Sequence, residues 1–274
     1  MRNMKSKNIS ELKRYNPTTP SLRGRVIPNY SSVSKVLRDK NLTSAIKNSS
    51  GRNSTGRITC RHKGGRHKRS LRYIDLNRNA GYYSNASCLS YEYDPNRSSM
   101  IGRCFTGSFK PFYIIAPTGM KKGSLECSLS LRKRRGIQSE HAGSSLCLRD
   151  ITAGSTIYNI NGKLCRSAGS GGVLLKVDEK EALIRLPSKV VISVKSEGYA
   201  TLGKASNSNH KLRKQGKAGA NRWLGIRPTV RGIAQNAVDH PNGGKGNGGS
   251  QPKTKWGKWA KWVSTRRKGS KVKF

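Results

Sequence analysis

The amino-acid sequence predicts an all-β protein: two small barrels flanked by long basic extensions. Three observations lead there. Short runs rich in β-branched and aromatic residues recur roughly every 8–12 residues, with turn residues between them. Helical periodicity is nearly absent, the best candidate being SVSKVLRDKNLTSAIK at 32–47. The composition, 33% hydrophobic with 30 Gly and a mean hydropathy of -0.71, suits modest cores rather than one large one.

The strand-like runs follow in order: RITCRH (57–62), RYIDL (72–76), CLSYEYD (88–94), FYIIAP (112–117), SLCLRDI (145–151), STIYNIN (155–161), GVLLKV (172–177), EALIRLP (181–187) and VVISVKSEG (190–198). NGK at 161–163 and VDEKEA at 177–182 read as hairpin turns. Small antiparallel sheets hide their edges by closing, which favours barrels. The basic stretch LRKRRG (131–136) marks the boundary between them. The expected organisation is a basic N-terminal extension at 1–50, a first barrel at 51–130, a second at 131–203, and a basic Gly- and Trp-rich extension at 204–274. The extensions lack an apolar pattern and need an anionic partner to order them.

Charge points to that partner. Lys and Arg number 55 against 13 Asp and Glu, a formal +42. Residues 203–274 alone hold 18 basic side chains and 1 acidic one. Such a chain repels itself unless a polyanion lies alongside, where each neutralised phosphate releases a counterion. No apolar run approaches the roughly 18 residues of a spanning helix, so nucleic acid fits better than a membrane. The 6 Cys contain no Cys-x-x-Cys pair, which argues against zinc, and they read mainly as small core residues.

Two segments carry the binding chemistry. In GRNSTGRITCRHKGGRHKRSLRYIDL (51–76), Arg52, Arg57, Arg61, His62, Lys63, Arg66, His67, Lys68 and Arg69 crowd around Gly64 and Gly65. Arg forks onto phosphate and stacks on bases, and Gly lets backbone approach closely. In NSNHKLRKQGKAGANRWLGIRPTVRG (207–232), His210, Arg213, Lys217, Arg222, Arg227 and Arg231 surround Trp223, the pattern of a phosphate track with a stacking plane. Walker-type and dinucleotide-binding Gly motifs are absent, as is a nucleophile elbow. In AVDHPNGGKGNGG (237–249), Asp239 and His240 could be a carboxylate steering an imidazole, or Asp239, His240 and Lys245 could belong to a Gly-rich loop running close to RNA. Adjacent side chains usually point apart and no nucleophile lies nearby, so the loop is favoured and no catalytic residue is assigned.

NPTTPSLR (16–23), GRNSTGRITCRHKGGRHK (51–68), LRDITAGSTIYNI (148–160), RSAGS (166–170), GKAGANRWLGIRPTVRG (216–232) and VDHPNGG (238–244) together resemble the universal large-subunit ribosomal protein family numbered two, in its bacterial and organellar form. The resemblance implies an OB-fold barrel, then an SH3-like barrel, with both extensions threaded into large-subunit rRNA. It implies a non-enzymatic structural constituent near the subunit interface and the peptidyl transferase region, supporting assembly, subunit association and translation. Its partners would be rRNA, neighbouring ribosomal proteins and the small subunit. No cofactor is implied beyond magnesium carried by the rRNA. The chain departs from the family pattern where Arg66 replaces a Gly, where Asn242 replaces a second His, at Lys245 and Gly246, and in its Trp-rich segment 255–262. The family signature begins within the first twenty residues, leaving little room for a cleaved presequence. A mitochondrial ribosome is the expected location, with plastid and bacterial ribosomes as alternatives.

Overall fold

The computed structural model describes residues 12–36, 38–77, 86–105, 111–123, 125–126, 141–244 and 251–261. The expected boundary at 131–136, Lys245 and Trp262 lie outside them. The described residues group into two units: 12–47 with 68–218, and 48–67 with 219–261.

The larger unit opens with β1 (Leu12–Arg14), a single helical turn α1 (Pro20–Arg23) and β2 (Val26–Pro28), which pairs antiparallel with β1. Val26 exchanges both backbone bonds with Lys214, at 3.0 and 2.8 Å. The N-terminal stretch thus gains a ladder without needing an apolar core. The candidate helix at 32–47 is not helical. Asp39 accepts the Asn41 N–H on Oδ1 at 3.0 Å and the Thr43 hydroxyl on its carbonyl at 2.9 Å. Such local side-chain bonds compete with helix. The chain runs on instead into β3 (Thr43–Ala45), which pairs with β4 (Ser70–Arg72).

Strands β5 (Ala86–Glu92), β6 (Ile101–Phe105), β7 (Phe112–Ile115) and β8 (Leu125–Glu126) form an antiparallel sheet in the order β7-β6-β5-β8. In β5, Ala86, Cys88, Ser90 and Glu92 alternate inward, the period of two expected of a half-buried strand. Ala86, Cys88 and Cys104 pack there with Met100, Ile114, Ala116 and Met120. The buried acids are matched, as burial of charge requires. Glu92 accepts from Ser90 at 2.6 Å and from the Tyr113 hydroxyl at 3.1 Å. Asp94 accepts from Arg97 Nε at 2.6 Å, with Arg72 at 3.6 Å. Burial, reinforced by the Glu92 charge, pushes the Tyr113 phenol up to about 12.

The second sheet comprises β9 (Ser145–Cys147), β10 (Thr156–Tyr158), β11 (Gly172–Val177), β12 (Glu181–Arg185), β13 (Val191–Lys195) and β14 (Tyr199–Leu202), in the order β13-β12-β11-β10-β14-β9, all antiparallel. Both expected turns are present. Asn161 and Gly162 take φ of 49° and 64° under the Ile160–Leu164 bridge, the two left-handed positions that Asn-Gly supplies. Asp178 N–H bonds Glu181 O at 2.8 Å. The core collects Leu148, Ile157, Ile160, Leu174 and Ile184.

The two sheets share one unit. Ile115, Tyr158 and Ala205 form a third cluster, and the Tyr158 hydroxyl donates to Ile115 O at 3.1 Å. Ser206 Oγ accepts from Met100 N at 3.0 Å, and Ser98 Oγ accepts from Ala168 N at 3.1 Å. The class is all-β, with an OB-type first sheet and an SH3-like second. Cys88, Cys104 and Cys147 are buried, whereas Cys60 is exposed. Among the described residues no helix is long and apolar enough to cross a membrane.

Candidate nucleic-acid interface

The smaller unit is built from turns. Asn53 organises the first one. Its Oδ1 accepts from Arg57 N at 2.9 Å and from Thr55 Oγ1 at 2.8 Å, while its own N–H bonds Arg57 O at 3.0 Å. Gly51 O accepts the N–H groups of Thr59 and Cys60, each at 3.0 Å. These bonds close the loop 51–60 and leave Arg52 and Arg57 exposed.

The two basic segments found in the sequence then run side by side. Arg227 N bonds His62 O at 3.1 Å, Gly64 N bonds Gly225 O at 2.9 Å, and His67 N bonds Trp223 O at 3.1 Å. Helix α2 (Ala218–Trp223) leads into this pairing, with Ala220 its buried residue. Gly225 is required here: its φ is +89°, and a Cβ would lie 2.7 Å from that of Arg66. Arg52, Arg61, Lys63 and Arg227, with Ile58 and Cys60 as an apolar wall, line a concavity of about 350 Å³. Among the described residues no carboxylate lines it. Four cations around an apolar floor suit phosphates at the rim and a base or sugar within.

The Asp239–His240 stretch is a turn. Asn236 O accepts the N–H of both Asp239 (3.0 Å) and His240 (3.2 Å). The His240 ring lies against Gly232, where a Cβ would come within 2.3 Å of Cε1. His240 Nδ1 accepts from Asn242 N at 3.1 Å, so in the neutral ring the proton sits on Nε2. Among the described residues no hydrogen bond joins the Asp239 carboxylate, which is exposed, to that ring. The ring nitrogen free of a proton, which a general base would use, already accepts from backbone. The pair is therefore not arranged as a general base with its orienting acid.

The expected site residues divide between the units. Arg52, Arg57, Arg61, His62, Lys63, Arg66, His67, Arg222, Trp223, Arg227, Arg231, Asp239 and His240 lie in the smaller; Lys68, Arg69, His210, Arg213 and Lys217 lie in the larger. His210 sits on a 3-10 turn, Ser208–Leu212, its pKa lowered by burial and then by the nearby Arg213 charge. Arg213 donates to Gln215 Oε1 at 3.2 Å. Trp223 is 56% exposed. Among the described residues no three His, Cys, Asp or Glu cluster as metal ligands.

Sequence reasoning missed several organising residues. Asn53 carried a readable signal, since Asn in an N-S-T-G run is an Asx-turn former. Asn242 carried none: its Oδ1 accepts from Lys253 N at 2.7 Å and its Nδ2 donates to Gln251 O at 3.4 Å. Lys13 and Arg25 stand over the Tyr15 ring at 5.3 and 5.0 Å, a basic cluster that adjacency in sequence does not reveal.

Comparison with known proteins identifies two family regions. Residues 39–128 match the RNA binding N-terminal domain of Ribosomal Proteins L2, and residues 141–260 match the C-terminal domain of the same family. The smaller unit draws on both regions. The chain is 42% identical over 269 residues to the large ribosomal subunit protein uL2c of Cyanidium caldarium, covering 93% of this chain and 94% of that protein. It is 42% identical over 271 residues to the large ribosomal subunit protein uL2 of Wolbachia pipientis wMel, covering 94% of each. It is 42% identical over 272 residues to the uL2c of Helicosporidium sp. subsp. Simulium jonesii, covering 93% of this chain and 94% of that protein.

Proposed function

Because the chain belongs to the ribosomal protein L2 family, we propose that it is a structural constituent of the large ribosomal subunit that binds large-subunit rRNA. One observation of the molecule carries this reading. Two basic segments far apart in the chain, 62–67 and 223–227, are bonded into one unit around a concavity without a carboxylate. The backbone bonds hold the two segments together, and the cations so gathered repel one another unless a polyanion lies beside them. The residues we assign to rRNA contact in the smaller unit are the cations from Arg52 to His67 and from Arg222 to Arg231, together with Trp223, Asp239 and His240. In the larger unit they are Lys68, Arg69, His210, Arg213 and Lys217. Lys245, outside the described residues, belongs to the same loop as His240.

The role is architectural rather than catalytic: the sheets form a platform and the basic segments fix rRNA near the subunit interface and the peptidyl transferase region. Neighbouring ribosomal proteins and the small subunit are further partners under this reading. The division we propose remains an OB-fold domain at 51–130 and an SH3-like domain at 131–203 between extensions at 1–50 and 204–274. The compartment we propose is a mitochondrial ribosome; the plastid-type and bacterial relatives support a plastid or bacterial ribosome as alternatives.

The test is a salt titration of the full chain on large-subunit rRNA. The logarithm of affinity should fall linearly with the logarithm of salt, with a slope of about −0.7 to −0.9 per phosphate contacted. Six to ten contacts would lower affinity by roughly 10³–10⁵ between 50 and 200 mM. Association that does not change with salt would overturn the assignment.

A further inference from the structure

Residues 251–261 form a small closed loop. Ala260 N bonds Pro252 O at 2.8 Å, Thr254 N bonds Lys258 O at 2.6 Å, and Gly257 N bonds Thr254 O at 2.9 Å. Lys258 N also reaches Thr254 Oγ1 at 3.2 Å. Gly257, at φ +78°, supplies the left-handed turn position. Lys253 and Trp259 are bridge partners, and the Lys253 ammonium stands 4.9 Å above the Trp259 ring. The base of the loop is clamped by Asn242, which is 8% exposed and holds Lys253 N at 2.7 Å and Gln251 O at 3.4 Å.

Trp259 therefore has a partner within the loop. Trp256, near the tip, is 74% exposed and makes no ring or cation contact among the described residues. The loop's own bonds are complete without it. An indole kept in water is a large apolar surface left unspent in folding. Its surroundings say what it awaits: Lys253, Lys255, Lys258 and Lys261 are the loop's charges, and 251–261 contains no acid. A protein pocket would have to strip water from several lysines, which interface cores avoid. Single-stranded nucleic acid matches both features at once, its phosphates to the lysines and a base to the indole face.

We propose that Trp256 is a stacking platform for an unpaired base of RNA, presented by a loop that Asn242 locks in its binding shape. The proposal rests on the rRNA-binding reading and adds the ligand class and the residue. Pre-ordering the loop removes part of the entropy cost of capture. Asn242 is thus a positioning residue, and it stands where the resembled family pattern has a second His.

The experiment uses the full chain with Trp223, Trp259 and Trp262 changed to Phe, leaving Trp256 as the one indole, titrated with large-subunit rRNA. Trp256 emission should be quenched as rRNA binds. In the otherwise unaltered chain, Trp256→Ala should weaken binding by about 5- to 150-fold. The salt slope should not change, because stacking releases no phosphate counterions. Trp256→Phe should retain most of the affinity, and Asn242→Ala in the single-Trp chain should reduce the quenching. If Trp256→Ala does not fold, the quenching and the Phe variant decide. Undiminished rRNA binding with unquenched Trp256 would overturn the proposal and leave the rRNA-binding reading standing. Quenching by a purified neighbouring ribosomal protein but not by rRNA would also overturn it. Failure of the unaltered chain to bind rRNA would instead bring down the reading beneath it.

Discussion

The two units of this chain hold their shape by different means. In the larger, Ile157, Ile160, Leu174 and Ile184 are each 0% exposed, and the three apolar clusters among the described residues lie there. In the smaller, Ile226, Val230, Ile233 and Val238 are 49%, 55%, 75% and 92% exposed. There, backbone bonds and turn residues do what burial does elsewhere. The hydrophobic term that dominates folding is thus concentrated in one unit. The other holds a surface whose complement is charge. A unit whose described residues form no apolar cluster is a poor self-sufficient fold but a good mould for a polyanion that supplies the missing contacts.

The largest expected effect tests this contrast directly. Ile184→Ala should destabilise the free protein by about 2–5 kcal/mol, the usual result of emptying a packed core site. Ile233→Ala should change it by no more than about 0.5 kcal/mol, as exposed substitutions do. Denaturant unfolding followed by a tertiary signal from each unit reads both. A cost at Ile233 comparable to that at Ile184 would show a core in the smaller unit and erase the distinction.

The next effect concerns charge. Arg61→Gln and Arg227→Gln remove cations from the carboxylate-free concavity. Each should flatten the salt slope of rRNA binding by about 0.7–0.9 if its guanidinium neutralises one phosphate. Lys176 makes a useful control: it lies in the larger unit and pairs with Asp178 at 2.8 Å. Lys176→Gln should leave the slope unchanged. Equal slopes for all three variants would mean that the concavity does not meet phosphate.

This contrast also explains what the sequence disclosed. The larger unit was legible because burial writes a period: Ala86, Cys88, Ser90 and Glu92 alternate inward along β5, and Asn161–Gly162 announces its own turn. The smaller unit writes no period. Its cations were evident as a composition, but the bonds that pair Gly64 with Gly225 and His62 with Arg227 are made by backbone, which every residue carries. Helix α2 spans only Ala218–Trp223, too short for an amphipathic pattern to emerge. The stretch 32–47 misled in the opposite direction: spaced apolar residues suggested a helix, whereas Asp39 bonds locally and turns the chain. Asp239 beside His240 suggested chemistry because adjacency is visible in a sequence and the Asn242 N–H that takes Nδ1 is not.

The smallest effect lies at His210, an expected rRNA contact that falls in the cored unit. Burial and then Arg213 lower its pKa from 6.5. Between that lowered value and 6.5 the unfolded chain binds more protons than the folded one, so this residue's contribution to stability falls as pH drops below 6.5 and levels off once the folded form also protonates. Phosphate placed beside the ring acts in the other direction, favouring the charged form. Binding to rRNA should then take up a proton in the same window, and affinity should rise as pH falls. One residue therefore gives opposite slopes in the free and bound states: a free protein less stable at pH 5.5 than at 7.5, and a complex tighter by up to about threefold, since a partly exposed charge is worth little. His210→Gln should flatten both curves, and the difference between variant and parent isolates this residue. If the variant flattens only the unfolding curve, His210 belongs to the folding economy of the larger unit and not to the rRNA surface.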